Sequence, residues 1–141
     1  MMRGYLLDTC VISESTRAEA SDSVLAWLDA TAPESLYMSV VTLGEIEQGI
    51  GKLGNNQKAR TLEHWLHETV TSLFESRTLD VDANIAHRWG RMLGTAKRKG
   101  RSLPLIDTLL AATAQEHELV LVTRNTRDFS NLDIELFNPW Q

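Results

Sequence analysis

Four acidic residues stand where solubility alone does not explain a charge: Asp8, Glu45, Asp107 and Asp128. Asp8 closes the apolar run Tyr5-Leu6-Leu7, and no Lys or Arg follows it until Arg17. Asp107 interrupts Leu105-Ile106-Asp107-Thr108-Leu109-Leu110-Ala111-Ala112, whose members read as buried. A carboxylate in such surroundings must take up a proton or find a cation. If the fold brings Asp8 and Asp107 together, repulsion raises that cost, and a divalent cation relieves it. An all-oxygen donor set selects Mg2+ or Mn2+ over zinc, and Mg2+ usually keeps several waters. Such a centre can make a nucleophile of a water and stabilise the charge that builds up during phosphodiester cleavage.

Each acid also has a plain structural reading. Asp8 suits a turn. Glu45 completes Thr42-Leu43-Gly44-Glu45, the pattern of a capping box. Asp107 would complement a helix N-terminus, and Asp128 that of a short helix begun at Asn125. Only their meeting in space would favour chemistry, so the elements that carry them matter.

Those elements alternate. Tyr5–Leu7, Leu36–Met38, Arg77–Leu79, Leu119–Val122 and Ile134–Leu136 read as short strands. Val11–Arg17 reads as a short helix or turn, and Asp22–Ala30 carries Val24, Leu25 and Leu28 at helical spacing. Val41, Leu43, Ile46, Ile50 and Leu53 mark a helix that ends in a Gly-rich run. Longer helices are expected over Gln57–Leu73, Asp82–Lys99 and from Pro104 to about His117. The alternation predicts one α/β domain across residues 1–141 with a parallel sheet. In such sheets, sites form just beyond the carboxyl ends of the strands, which is where all four acids would lie.

A chain of 141 residues, 43% hydrophobic and 23% charged, can bury a core of its own. Nothing approaches the roughly 18 to 20 apolar residues of a membrane span, and no signal peptide is visible. A single cysteine, Cys10, excludes intrachain disulfides and suits a reducing cytoplasm. The formal net charge of -5 argues against a general polyanion-binding surface, although Lys97-Arg98-Lys99-Gly100-Arg101 forms a local basic patch.

Taken together, LLDTCVISE, SVVTLGEIEQGI, LPLIDTLLAATA and LVTRNTRDF resemble the signature segments of PIN-domain ribonucleases, specifically VapC-type toxins of toxin–antitoxin pairs. The closing NPW and GRSLPLIDTLLAATA resemble the FitB-like branch. The resemblance runs from Tyr5 to Trp140. It implies a three-layer α/β/α sandwich around a parallel sheet of about five strands. It implies that Asp8 and Asp107 are the principal ligands of Mg2+ or Mn2+. Glu45 would ligate or orient water, and Asp128 would complete the pocket. Thr123 and Asn125 match supporting polar positions, and Thr9 and Ser13 fit the same role. The implied reaction is endonucleolytic hydrolysis of RNA, with metal-activated water attacking phosphorus in line. The implied partners are a cognate antitoxin, a second copy of the chain, and operator DNA reached only through the antitoxin. At one position the chain departs from the family, which usually has Asn where Cys10 stands.

Other features read more plainly. His64 and His67 lack the His-Glu-x-x-His arrangement and read as a surface pair. Gly49, Gly51 and Gly54 form no phosphate loop and read as the end of a helix. Trp27, Trp65 and Trp89 read as core or dimer contacts. Two other functions share the α/β frame. An Asp-nucleophile phosphatase would use Asp8 but needs a second acid where Cys10 stands. A receiver-like binding module would pair adjacent acids near the first strand, and no acid precedes Asp8.

Overall fold

A computed structural model describes residues 3–141. Five parallel strands form its centre: β1 (Tyr5–Leu7), β2 (Leu36–Ser39), β3 (Thr78–Leu79), β4 (Val120–Val122) and β5 (Leu136–Phe137). Their order is β3-β2-β1-β4-β5, so β1 lies in the middle. Tyr5 pairs with both Leu36 and Val120, and Leu7 pairs with Val122. Gly4 precedes β1, where a larger residue would have to displace the Leu119 side chain and the Tyr37 ring. A Cβ there would lie 2.6 Å from Leu119 Cδ2 and 2.9 Å from Tyr37 Cε1.

Alternate residues of each strand face opposite sides of a sheet, and both sides are apolar here. Leu7, Met38 and Val122 belong to one core cluster, with Val11, Val24, Ile46, Leu66 and Phe74. Leu6 and Leu121 point the other way, into a cluster with Leu110, Ala111, Ala114 and Phe129. The first layer of helices comprises α1 (Thr9–Ser13), α2 (Asp22–Ala30), α3 (Val40–Lys52) and α4 (Gln57–Trp65). A π turn over Leu66–Val70 and a last turn, α5 (Thr71–Leu73), continue α4. On the other side lies α7 (Leu105–Glu116), backed by α6 (Ala83–Arg98) through Ile85, Leu109 and Ala112. The result is the three-layer α/β/α sandwich expected.

Three local expectations need correction. The last strand is Leu136–Phe137 instead of Ile134–Leu136, because Ile134 packs against the core without pairing to β4. The helix after β2 starts at Val40, capped by the Ser39 hydroxyl, which accepts from Val41 N at 3.1 Å. Thr42 is therefore inside the helix, buried with its hydroxyl unpaired, and Thr42-x-x-Glu45 is no capping box. Of the three glycines, Gly49 and Gly51 lie within α3, and Gly54 alone follows its end, at φ +79°.

Candidate active site

Asp8 follows β1 and caps α1. Its backbone N–H continues the β1–β4 ladder, donating to Val122 O at 2.9 Å. Asp8 is buried, 7% exposed as a residue, and both its carboxylate oxygens are engaged. Oδ1 accepts from Thr9 N at 2.7 Å, and Oδ2 accepts from the Thr123 hydroxyl at 2.7 Å. Thr123 follows β4 and is fully buried. Its oxygen also accepts from Asn125 N at 3.1 Å, which leaves its proton for Asp8. Asp8 thus caps a turn as the plain reading held, while sitting where the strand order reverses, between β1 and β4. Open α/β sheets bind ligands at that point.

Glu45, one turn inside α3, accepts from the Thr9 hydroxyl at 2.5 Å. Thr9 therefore bridges two acids, using its N–H for Asp8 and its O–H for Glu45. Asp107 occupies the first turn of α7, and Asp128 lies in the 3-10 turn Thr126–Phe129 after β4. The Asp107 carboxyl is pushed up from 3.8 to about 6, chiefly by burial, then by the charges of Asp8, Asp128 and Glu45. A helix N-terminus would lower it. The charges of Asp8, Asp128 and Glu45 are therefore felt at Asp107. Asp8 and Glu45 accept from hydroxyls, a thiol and a backbone N–H, and among the described residues none of the four acids pairs with a Lys or Arg.

The supporting residues divide. Thr9 and Thr123 hold acids directly. Asn125 acts through its backbone N–H, and among the described residues the Ser13 side chain makes no hydrogen bond to any of the four acids. Ser13 instead lines a cavity of about 460 Å³ together with Thr9, Glu45, Arg17, Lys58 and Trp65. Cys10 donates weakly to Asp8 Oδ2 at 3.8 Å. Burial, then the Asp8 charge, push its thiol up to about 11, so it is a poor nucleophile. With both Asp8 oxygens engaged and no acid at position 10, the phosphatase reading is weakened.

Glu14 was not singled out from the sequence. It is 2% exposed, and it accepts from Ser21 N at 2.7 Å and from Arg17 at 3.4 Å. It thereby holds the α1–α2 loop at the rim of the cavity. Its position three residues after Val11, on the same helical face, was the available signal. His67, expected as half of a plain surface pair, reaches Glu63 at 2.8 Å and Glu47 at 3.5 Å, tying α4 to α3. Trp27 packs edge-on against Tyr5, as a core residue should.

The described helices include none long and apolar enough to cross a membrane. A family model described as PIN domain matches residues 5–135. Toxin FitB of Neisseria gonorrhoeae is 37% identical over 96% of this chain and 97% of its own. The chain belongs to the PIN-domain family of VapC-type toxins. A VapC ribonuclease of Sinorhizobium fredii is 32% identical to this PIN domain, over 96% of it and 97% of the relative. The structure of FitAB bound to a DNA fragment superimposes with a TM-score of 0.90 at 35% identity, covering 97% of this chain and 96% of that one. VapBC2 of Rickettsia felis, at 23% identity and a TM-score of 0.79, shares the fold.

Proposed function

We propose that this PIN domain, a single domain over residues 1–141, is a metal-dependent endoribonuclease toxin silenced by a cognate antitoxin. One observation carries the reading: Thr9 bridges Asp8 and Glu45 at the strand switch point, and the Asp107 carboxyl is raised by burial and by the charges of Asp8, Asp128 and Glu45. Carboxylates fit a hard divalent cation, and the one sulfur beside them, the Cys10 thiol, is raised to about 11 and stays protonated. Asp8 and Asp107 would hold Mg2+ or Mn2+, with Glu45 and Asp128 completing the pocket. When bound, the ion supplies Lewis-acid stabilisation and acidifies water.

The protein's own residues do the rest. Thr9 N–H and the Thr123 hydroxyl fix the Asp8 carboxylate in one orientation. The Thr9 hydroxyl fixes the Glu45 carboxylate, which would ligate the ion or orient the attacking water. Asp107 must be ionised to serve, so metal binding should weaken below about pH 6, where its carboxyl takes up a proton. Relatives named as VapC ribonucleases support RNA as the substrate, and cellular RNA sets the cytoplasm as the place of action.

Leu105 and Ile106, 60% and 40% exposed beside Asp107, suit an interface with a second copy of the chain. The acidic pocket suits a cationic side chain of an antitoxin, and operator DNA would be reached through that antitoxin. The solved FitAB–DNA complex is the precedent for such an assembly. The test is direct. Purified protein should cleave RNA with Mn2+ or Mg2+, and both EDTA and Asp107→Asn should abolish cleavage. Activity surviving both would sink the mechanism.

A further inference from the structure

Charge is unevenly distributed along this chain. Between Asp82 and Asp107 there is no acidic residue, yet the stretch holds six of the 14 Lys and Arg: Arg88, Arg91, Lys97, Arg98, Lys99 and Arg101. The remaining cations are outnumbered by 19 acids. Four of the six line one cavity of about 300 Å³, namely Arg88, Arg91, Lys99 and Arg101, with Gln115 and Asp133 on the opposite rim.

The cavity is built by specific contacts. Arg88, Arg91 and Lys99 recur at helical spacing along one side of α6. The end of α6 is a Schellman turn: Gly100 adopts φ +74°, Gly100 N donates to Lys97 O, and Arg101 N donates to Ala96 O at 2.8 Å. That turn bends Arg101 back to the same cavity as Lys99. Arg88 donates to Glu116 at 2.6 Å and to the Gln115 amide oxygen at 2.8 Å. The Gln115 amide nitrogen donates in turn to Asp133 O at 3.2 Å, so α6, α7 and the segment before β5 are tied together. Arg88 is a fixed wall. Arg91, Lys99 and Arg101 make no ion pair among the described residues.

Both chain segments that border this cavity run on into the acids. Leu103, on its lining, precedes Asp107 by four residues, a reach of at most about 14 Å. Asn131, also on its lining, follows Asp128 by three residues, at most about 11 Å. A pocket of four carboxylates in a chain of net charge -5 repels a polyanion. A neighbouring set of unpaired cations offsets that repulsion.

We propose that the α6–α7 cavity is where the backbone of the RNA strand crosses the protein beside the cleavage site. Arg91, Lys99 and Arg101 hold its phosphates there. The inference rests on the ribonuclease reading and adds the path of the substrate. Cations at this spacing read charge and not bases, so the hold is independent of sequence.

The test measures binding of a 20-nucleotide RNA by the Asp107→Asn protein in EDTA, across a salt series. Adding Arg91→Gln, Lys99→Gln and Arg101→Gln removes three phosphate contacts. The slope of log K against log salt should become shallower by about 2, and affinity at 0.1 M salt should fall roughly a hundred-fold. Each single substitution, the fallback if the triple variant unfolds, should remove about 0.7 of slope. Exchanging Arg and Lys at the three positions should preserve the slope. An unchanged slope in the triple variant overturns the proposal. So does duplex DNA bound as tightly and lost in parallel, which marks a general polyanion surface. So does loss of an acidic protein partner while RNA binding persists. If wild-type protein with Mn2+ leaves RNA intact although these binding results hold, the ribonuclease reading fails and the RNA track stands.

Discussion

Asp107 carries its charge at a cost, and that cost has a sign. Its carboxyl is raised from 3.8 to about 6 in the folded chain. Below about pH 4 the group is protonated whether folded or not, and folding is not penalised. Between about pH 4 and 6 the unfolded chain releases the proton while the folded chain keeps it, so stability falls as pH rises through that window. Asp107→Asn should remove this part of the slope, raising the stability of metal-free protein at pH 7 relative to pH 4. Urea unfolding in EDTA at both values checks it; a parallel pH dependence in the two proteins would refute it. Metal binding has the opposite dependence. Mn2+ affinity, followed by calorimetry, should rise with pH to about 6 and then level off, because the ligand must lose its proton. Cys10, with its thiol near 11, should react with iodoacetamide at pH 8 roughly a hundred times more slowly than an ordinary thiol. The sequence marks Asp107 as anomalous for a partly wrong reason. Leu109 to Ala112 are buried as expected, whereas Leu105 and Ile106 face solvent. An apolar run cannot show which of its members turn outward.

At the level of elements, α3 and the α1–α2 loop set the rim of the site. The Ser39 cap and the unpaired Thr42 hydroxyl make opposite demands on α3. Ser39→Ala should lower stability by about 1 kcal/mol, as lost N-caps do. Thr42→Val should raise it by about 1 kcal/mol, since a buried hydroxyl without a partner gains nothing from its burial. Denaturant midpoints of the two variants should therefore move in opposite directions. Pattern alone could not separate these residues, because Thr42-x-x-Glu45 and Ser39 offer equally good helix starts three residues apart. The strands and most helices were legible, since their apolar periods match the layers that bury them. Where that period is short, as in β5, a two-residue strand is decided by which backbone groups meet β4. The Thr9–Glu45 bond has no local signal whatever: 36 residues separate its partners.

On the scale of the whole molecule, the order β3-β2-β1-β4-β5 puts Asp8 and Thr123 just beyond the ends of adjacent strands although they lie 115 residues apart in sequence. Alternating strands and helices made this architecture readable, and the rule for strand ends located the acids. The residues that lock Asp8 in place could be reached only by resemblance, because nothing near Thr123 advertises a partner so distant. Thr123→Val should leave the sheet intact and cut cleavage sharply, because Asp8 Oδ2 loses its only strong donor. Circular dichroism beside a nuclease assay separates the two effects. The same sequence separation has a consequence in time. Central strand β1 emerges first from the ribosome, but its neighbour β4 is among the last segments made, and long-range parallel pairings form late. A nascent chain lacks the Asp8–Thr123 contact for most of its synthesis, so under the proposed ribonuclease function translation of the protein runs before its site is assembled.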